Sequence, residues 1–274
     1  MTQISILGCG WLGLPLAKVL LKNGFSVKGS TTSVEKLSVL QNSEIQPYLI
    51  ALSENETTGN LSDFLENSKI LIIDVPPKLR GSATDPSSAL RMTFVSKIKN
   101  VIPFIEKSTI ENVLFISSTS VYGEDNLVVT EETELNPETE SGRQLLQAEQ
   151  LLQNNSNFKT TTLRFGGLIG DDRHPIKFLA GRKNIENPNA SINLIHQDDC
   201  IGIIMEIIEL KSWNETFNAV TPFHPSRKDY YTQKAIDLNL DLPEFNAENS
   251  SFGKIILSSK IETVLGYSFR KLKL

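Results

Sequence analysis

The stretch Ile4-Ser5-Ile6-Leu7-Gly8-Cys9-Gly10-Trp11-Leu12-Gly13-Leu14-Pro15-Leu16-Ala17 constrains this chain most. A short apolar run ends in three glycines spaced G-x-G-x-x-G. An apolar helical pattern then follows at Leu12, Leu16, Val19 and Leu20. A strand, a tight turn and a helix in that order form the context of a dinucleotide-binding loop. Gly8 permits the turn, Gly10 lets the backbone approach a pyrophosphate, and Gly13 lets the helix pack close to the strand. The free N–H groups at the helix start would face the phosphates. A purely structural tight turn is the alternative.

The remaining pattern is an alternation of strands and helices. Phe25–Ser30, Ile45–Leu52, Ile70–Val75, Val113–Ile116 and Thr160–Phe165 read as strands, several of them apolar enough to be buried on both faces. Leu61–Leu65, Leu90–Phe104 and Leu145–Leu152 read as helices. This predicts an α/β fold with a Rossmann-type, doubly wound parallel sheet over 1–170. Residues 171–274 read as a smaller α+β substrate lobe, with parts of 190–220 returning to the sheet. There Asp198 is expected to cap a helix running to about Leu210, and Thr216–Val220 to form a strand.

The expected cofactor contacts are Gly8, Cys9, Gly10, Trp11, Leu12 and Gly13, with Val75 and Pro76 after the apolar strand. The end of the second strand should lie near the adenosine ribose. It carries Ser30, Thr31 and Thr32, with Lys36 beyond and no acid before Glu35. A carboxylate would repel a 2′-phosphate and these side chains would not, so NADP is expected over NAD. Thr32 and Glu35 also fit a capping box. Lys78 and Arg80 follow a central strand, where they could meet an anionic substrate; a solvated loop is the other reading. Hydroxyls cluster at Ser117, Ser118 and Thr119, where they could donate to a carbonyl or alkoxide oxygen.

A net charge of −5 and a pI near 5.4 argue against a general nucleic-acid or anionic-membrane partner. No apolar run reaches membrane-spanning length, and a strand starting at Ile4 leaves no room for a signal peptide. Two cysteines, Cys9 and Cys200, make no disulfide framework, so a cytoplasmic setting is expected. The acidic run over 124–140 reads as a solvated loop, and His174, His196 and His224 lack zinc spacing, so no metal is expected.

Several blocks, in this order, resemble the extended short-chain dehydrogenase/reductase superfamily of nucleotide-sugar epimerases and dehydratases. They are the glycine loop, Phe-Ile-Ser-Ser-Thr-Ser-Val-Tyr-Gly (115–123), Leu-Arg-Phe-Gly-Gly-Leu-Ile-Gly (163–170), Asn-Leu-Ile-His-Gln-Asp-Asp (193–199), Phe-Asn-Ala-Val (217–220) and Ser-Ser-Lys through Leu-Gly-Tyr (258–267). The resemblance implies a small-molecule substrate and an NAD(P) cofactor, and a homodimer fits it. It makes Ser118 the active-site hydroxyl, flanked by Ser117 in the cofactor set and Thr119 in the substrate set. The loop departs from the superfamily's usual G-x-x-G-x-x-G. The catalytic Tyr-x-x-x-Lys is also not found where expected: anchoring on Ala148-Glu149 puts Ser141 and Leu145 at those positions. Tyr122 is then a candidate substitute acid/base or a packed strand-end tyrosine, and Arg143 a candidate oxyanion or phosphate ligand. His196 reads as a shaper of the helix start or a base, and Arg164 as a partner of Asp199.

One function is therefore expected, with two alternatives behind it. The first is an epimerase/dehydratase-type or oxidoreductase enzyme with an altered acid/base set. The second is a non-catalytic dinucleotide-binding sensor or partner-binding module. The third, a hydroxyacid dehydrogenase, ranks last, because strand signals interrupt what would be its helical second domain.

Overall fold

The computed structural model describes residues 1–77, 93–124, 128–246, 248, 251–272 and 274. In chain order, β1 (Gln3–Leu7) leads into α1 (Gly13–Lys22), β2 (Ser26–Thr31), α2 (Glu35–Gln41) and β3 (Gln46–Leu49). The short β4 (Ala51–Leu52) and β5 (Thr57–Thr58), α3 (Leu61–Leu65), β6 (Ile70–Ile73) and α4 (Thr93–Glu106) come next. Then follow β7 (Asn112–Ser118), β8 (Val128–Val129), α5 (Glu140–Gln153), β9 (Lys159–Phe165) and β10 (Gly167–Ile169). The chain ends through α6 (Ile176–Leu179), β11 (Leu194–His196), α7 (Gln197–Glu209), β12 (Thr216–Ala219), α8 (Arg227–Asp237), β13 (Ile255–Ile256) and α9 (Ser259–Leu265).

Seven strands form one sheet in the order β12-β9-β7-β6-β1-β2-β3, and every pairing in it is parallel. The order reverses direction at β1 and β6, which makes the crevice beyond their carboxyl ends the place where such sheets take ligands. The strands alternate their side chains between two helix layers. Ile4, Ile6, Ile70, Ile72 and Leu114 face one layer, where Leu16 and Leu20 of α1 meet Ile203, Ile204 and Ile207 of α7. Leu7, Leu71, Ile73, Val113 and Phe115 face the other, against Phe64 of α3, Ile98 of α4 and Ala148 of α5. Burial on both faces explains why these strands read as nearly unbroken apolar runs. Each such side chain contributes about 1.5–3 kcal/mol when fully buried.

Pro15 sits in the first turn of α1, where its missing N–H would have had no intrahelical partner. The helix stops at Asn23, and Gly24 turns the chain at φ +83°. A separate cluster packs Ile169, Ile176, Ile192, Leu194, Tyr230 and Tyr231 in the C-terminal region.

Three local expectations are corrected. The stretch 45–52 is not one strand: β3 ends at Leu49, Ile50 donates its N–H to Thr31 O, and β4 pairs with β5 instead. No Thr32–Glu35 capping box forms. The N-cap of α2 is Val34, without a side-chain bond, and Glu35 receives the Ser33 hydroxyl. The N-cap of α7 is His196 rather than Asp198, its ring Nδ1 accepting the Asp198 N–H at 3.1 Å.

Candidate dinucleotide and substrate site

The glycine loop occupies the crevice between β1 and β6. Gly8 turns at φ +112°, and a Cβ there would lie 2.3 Å from Asp74 O. A Cβ on Gly13 would lie 2.3 Å from Gly8 O. Those two glycines let strand, loop and helix close on one another. At Gly10 a Cβ would meet nothing within 4 Å, so the space beside it is open. That open flank lies next to the Trp11 and Leu12 N–H groups, which donate to nothing among the described residues, whereas the Gly13 N–H goes to Asp74 and the Leu14 and Leu16 N–H groups go to Gly10 O and Leu12 O. Together they make a cradle fitted to a diphosphate. Cys9 and Leu12 turn their side chains into the core, leaving only backbone to offer a ligand. Burial pushes the Cys9 thiol up to about 12, which keeps it inert at neutral pH.

Ser30 supports the loop. Its hydroxyl accepts the Gly8 N–H at 2.9 Å and its carbonyl accepts the Cys9 N–H at 2.8 Å. It is buried, and both groups serve the loop. Thr31 is buried too and accepts the Ser33 N–H, whereas Thr32 and Lys36 stand exposed beyond β2. Asp74, which sequence reasoning passed over, underlies the loop from the end of β6. Its carboxyl accepts the Gly13 N–H, and burial pushes it up to about 7. Val75 follows, its side chain 3.6 Å from the Gly8 Cβ position, and Pro76 is exposed. Lys78 and Arg80 lie outside the described residues.

At the end of β7 the three hydroxyls take different roles. Ser117 is buried and donates to Glu149. Ser118 is half-buried and accepts the Ser120 N–H at 3.2 Å, which leaves its hydrogen for a donated bond. Thr119 is buried in the 3-10 turn that follows.

The Tyr122 hydroxyl is not placed for acid/base work. Its ring is 1% exposed, and its OH donates to Asn218 at 2.8 Å while accepting from Arg164 at 2.7 Å. Burial pushes this phenol up, against the pull of Arg164. Arg164 in turn pairs with Glu149 at 2.6 Å, so the expected Arg164–Asp199 pair does not form. Asp199 instead accepts the Tyr267 hydroxyl and the N–H groups of Arg270 and Lys271. Arg143 is exposed and bonded to Glu140 and to the carbonyls of Pro137 and Glu138. His196 shapes the start of α7, in keeping with the structural reading of its block.

On α5, Leu145 is packed into the core and Ser141 is half-buried. The chain does contain two Tyr-x-x-x-Lys strings elsewhere, Tyr230–Lys234 and Tyr267–Lys271. Tyr230 is buried against His174 at 2.8 Å and Tyr267 against Asp199 at 2.7 Å. Burial pushes both phenols well up, so neither exchanges protons readily near neutrality. Among the described residues no cluster of His, Cys, Asp and Glu could hold a metal ion, and no helix is long and apolar enough to cross a membrane.

The family described as NAD dependent epimerase/dehydratase matches residues 4–199. Protein YeeZ of Escherichia coli (strain K12) is 33% identical over 272 residues, covering 98% of this chain and 96% of that protein. Among solved structures, UDP-glucose 4-epimerase of Thermotoga maritima, bound to UDP-glucose, is similar with a TM-score of 0.80 at 17% identity, over 98% of this chain and 94% of that one. UDP-glucuronic acid 4-epimerase of Bacillus cereus, in complex with NAD, gives 0.79 at 20% identity, over 98% and 91%. At such identities these structures bear on the fold, and they share the parallel sheet with its flanking helices. The family match over most of the chain and the near-full-length relative agree with the glycine loop and strand order: this chain belongs to the NAD-dependent epimerase/dehydratase family of the extended short-chain dehydrogenase/reductase superfamily.

Proposed function

We propose that the protein binds a nicotinamide dinucleotide at the glycine loop and acts on a small nucleotide-sugar-like substrate with an acid/base set unlike that of its superfamily. The observation that carries this reading is Gly10: an open flank in an otherwise tightly closed loop, beside the Trp11 and Leu12 N–H groups, which donate to nothing among the described residues. The epimerases it resembles in fold are bound to NAD or to UDP-glucose, which supports the same classes of ligand here. Exposed Thr32 and Lys36 beyond β2, with Glu35 tied to Ser33, support NADP over NAD.

A nicotinamide, when bound, accepts and returns hydride. The chain's own part is to hold the diphosphate on Gly8–Gly13 and to donate from Ser118 to a substrate oxygen. With Tyr122 committed inside the protein, proton exchange does not fall to its phenol. Ser118→Ala is expected to retain dinucleotide affinity and lose turnover on a panel of nucleotide sugars, by about a hundredfold. Unchanged turnover in that variant contradicts the role of Ser118. Dinucleotide binding without turnover in the wild type favours the non-catalytic module, a reading that the buried Leu145 and Tyr122 also support.

A further inference from the structure

We propose that Arg173 reaches across from the C-terminal segment and binds the diphosphate of the dinucleotide held on the glycine loop. The inference rests on the dinucleotide reading above and adds a cation to a diphosphate cradle that, among the described residues, is built from backbone. Trp11 is the link. Its backbone is part of the loop, just ahead of α1, and its indole is gripped from residues far along the chain. The ring lies over Gly170, where a Cβ would come within 2.8 Å of it. Indole Nε1 donates to Asp172 at 2.8 Å, and Gln197 donates to the Trp11 carbonyl at 2.7 Å.

Arg173 is held in this grip by its own backbone. Its N–H donates to Gly170 O at 3.1 Å, and Gly170 N–H donates back to Arg173 O at 2.8 Å. Its guanidinium then stacks over the Trp11 ring at 5.0 Å. The charge is exposed, and among the described residues it enters no ion pair. Of the two acids before it, Asp172 is turned to the indole and Asp171 points to solvent, 3.8 Å from His196.

A stacked guanidinium loses little freedom on binding, because the indole already limits where it goes. Its planar fork matches phosphate oxygens two at a time. The loop itself supplies N–H donors and no positive side chain, while Asp74 brings a carboxyl beneath it. A dianionic diphosphate arriving there gains from one cation on the solvent side, and among the described residues Arg173 is a cation fixed to the loop.

The test compares wild type with Arg173→Ala and Arg173→Lys, titrated calorimetrically with ADP-ribose, adenosine and UDP. ADP-ribose carries the dinucleotide's diphosphate, adenosine carries none, and UDP carries that of a sugar nucleotide. Arg173→Ala is expected to bind ADP-ribose about ten- to a hundredfold more weakly, with adenosine unchanged. Arg173→Lys is expected to fall between, because a point charge cannot bridge two oxygens. Arg173 is exposed, and equal melting temperatures show that the fold is kept. Equal ADP-ribose affinity in wild type and Arg173→Ala overturns the proposal and leaves the dinucleotide reading standing. Weakened UDP with unchanged ADP-ribose overturns it as well, and gives the residue to the substrate. A wild type that binds no ADP-ribose removes both this proposal and the reading beneath it.

Discussion

Asp74, half-buried, and Glu149, buried, are two carboxyls on the same sheet held in opposite ways. Asp74 has one backbone N–H for company, and burial lifts it from 3.8 to about 7. The folded chain therefore keeps this proton at a pH where the unfolded chain has lost it. The resulting cost to stability grows from about pH 4 and is complete above pH 7. Asp74→Asn keeps an oxygen for Gly13 and removes that cost. It is expected to raise stability at pH 8 by on the order of 2 kcal/mol, allowing for partial solvent screening. Denaturant melts at pH 8 and pH 4 check this, since the gain should vanish at the lower value. Glu149 instead meets Arg164 through both carboxylate oxygens and takes the Ser117 hydroxyl. Glu149→Ala strands the guanidinium in the core beside Tyr122 and is expected to cost about 3–5 kcal/mol. A urea midpoint close to that of the wild type would contradict the pairing.

The glycine loop shows what an element's sequence can and cannot disclose. The three glycines differ in what they close against, so substituting each has a different outcome. Gly8→Ala puts a Cβ into Asp74 O at a positive φ and is expected to destabilise the fold by more than about 2 kcal/mol. Gly10→Ala adds a methyl to open space and is expected to leave the melting temperature within a few degrees. Equal melting temperatures for the two variants would contradict this. The loop was legible because its spacing follows from local backbone geometry, and the buried strands because both faces demand apolar residues. The neighbours of Trp11 were not, since Gly170, Asp172 and Gln197 lie some 160 to 190 residues away in sequence and no local pattern links them. The same holds for Tyr122. Its Val-Tyr-Gly setting is readable, but the engagement of its hydroxyl depends on Arg164 and Asn218 from two other strands. His196 appeared as a tempting base because a histidine that caps a helix carries no distinguishing signal of its own.

At the scale of the whole molecule, the C-terminal segment completes the first layer of the core. β12 is the outermost strand beside β9, and Ile203, Ile204 and Ile207 of α7 pack with Leu16 and Leu20 of α1. A chain cut after residue 170 would expose that apolar face and leave β9 as a bare edge. It is expected to be insoluble or to lack a cooperative melt, and a sharp thermal transition in that fragment would contradict this. The same segment brings Asp172, Arg173 and Gln197 to the loop at the far end of the chain, so dinucleotide binding and the packing of the C-terminal region should be coupled.

A nicotinamide dinucleotide held on the loop over Gly8–Gly13, as proposed, would be reported directly by Trp11. The decisive measurement is the quenching of tryptophan fluorescence on titration with NADPH and with NADH, in wild type and in Gly10→Ala. Saturable quenching in the wild type, tighter for NADPH, with affinity lost in a Gly10→Ala protein that still melts normally, is the predicted result. No saturable change with either dinucleotide, or equal binding by the folded Gly10→Ala protein, would contradict it.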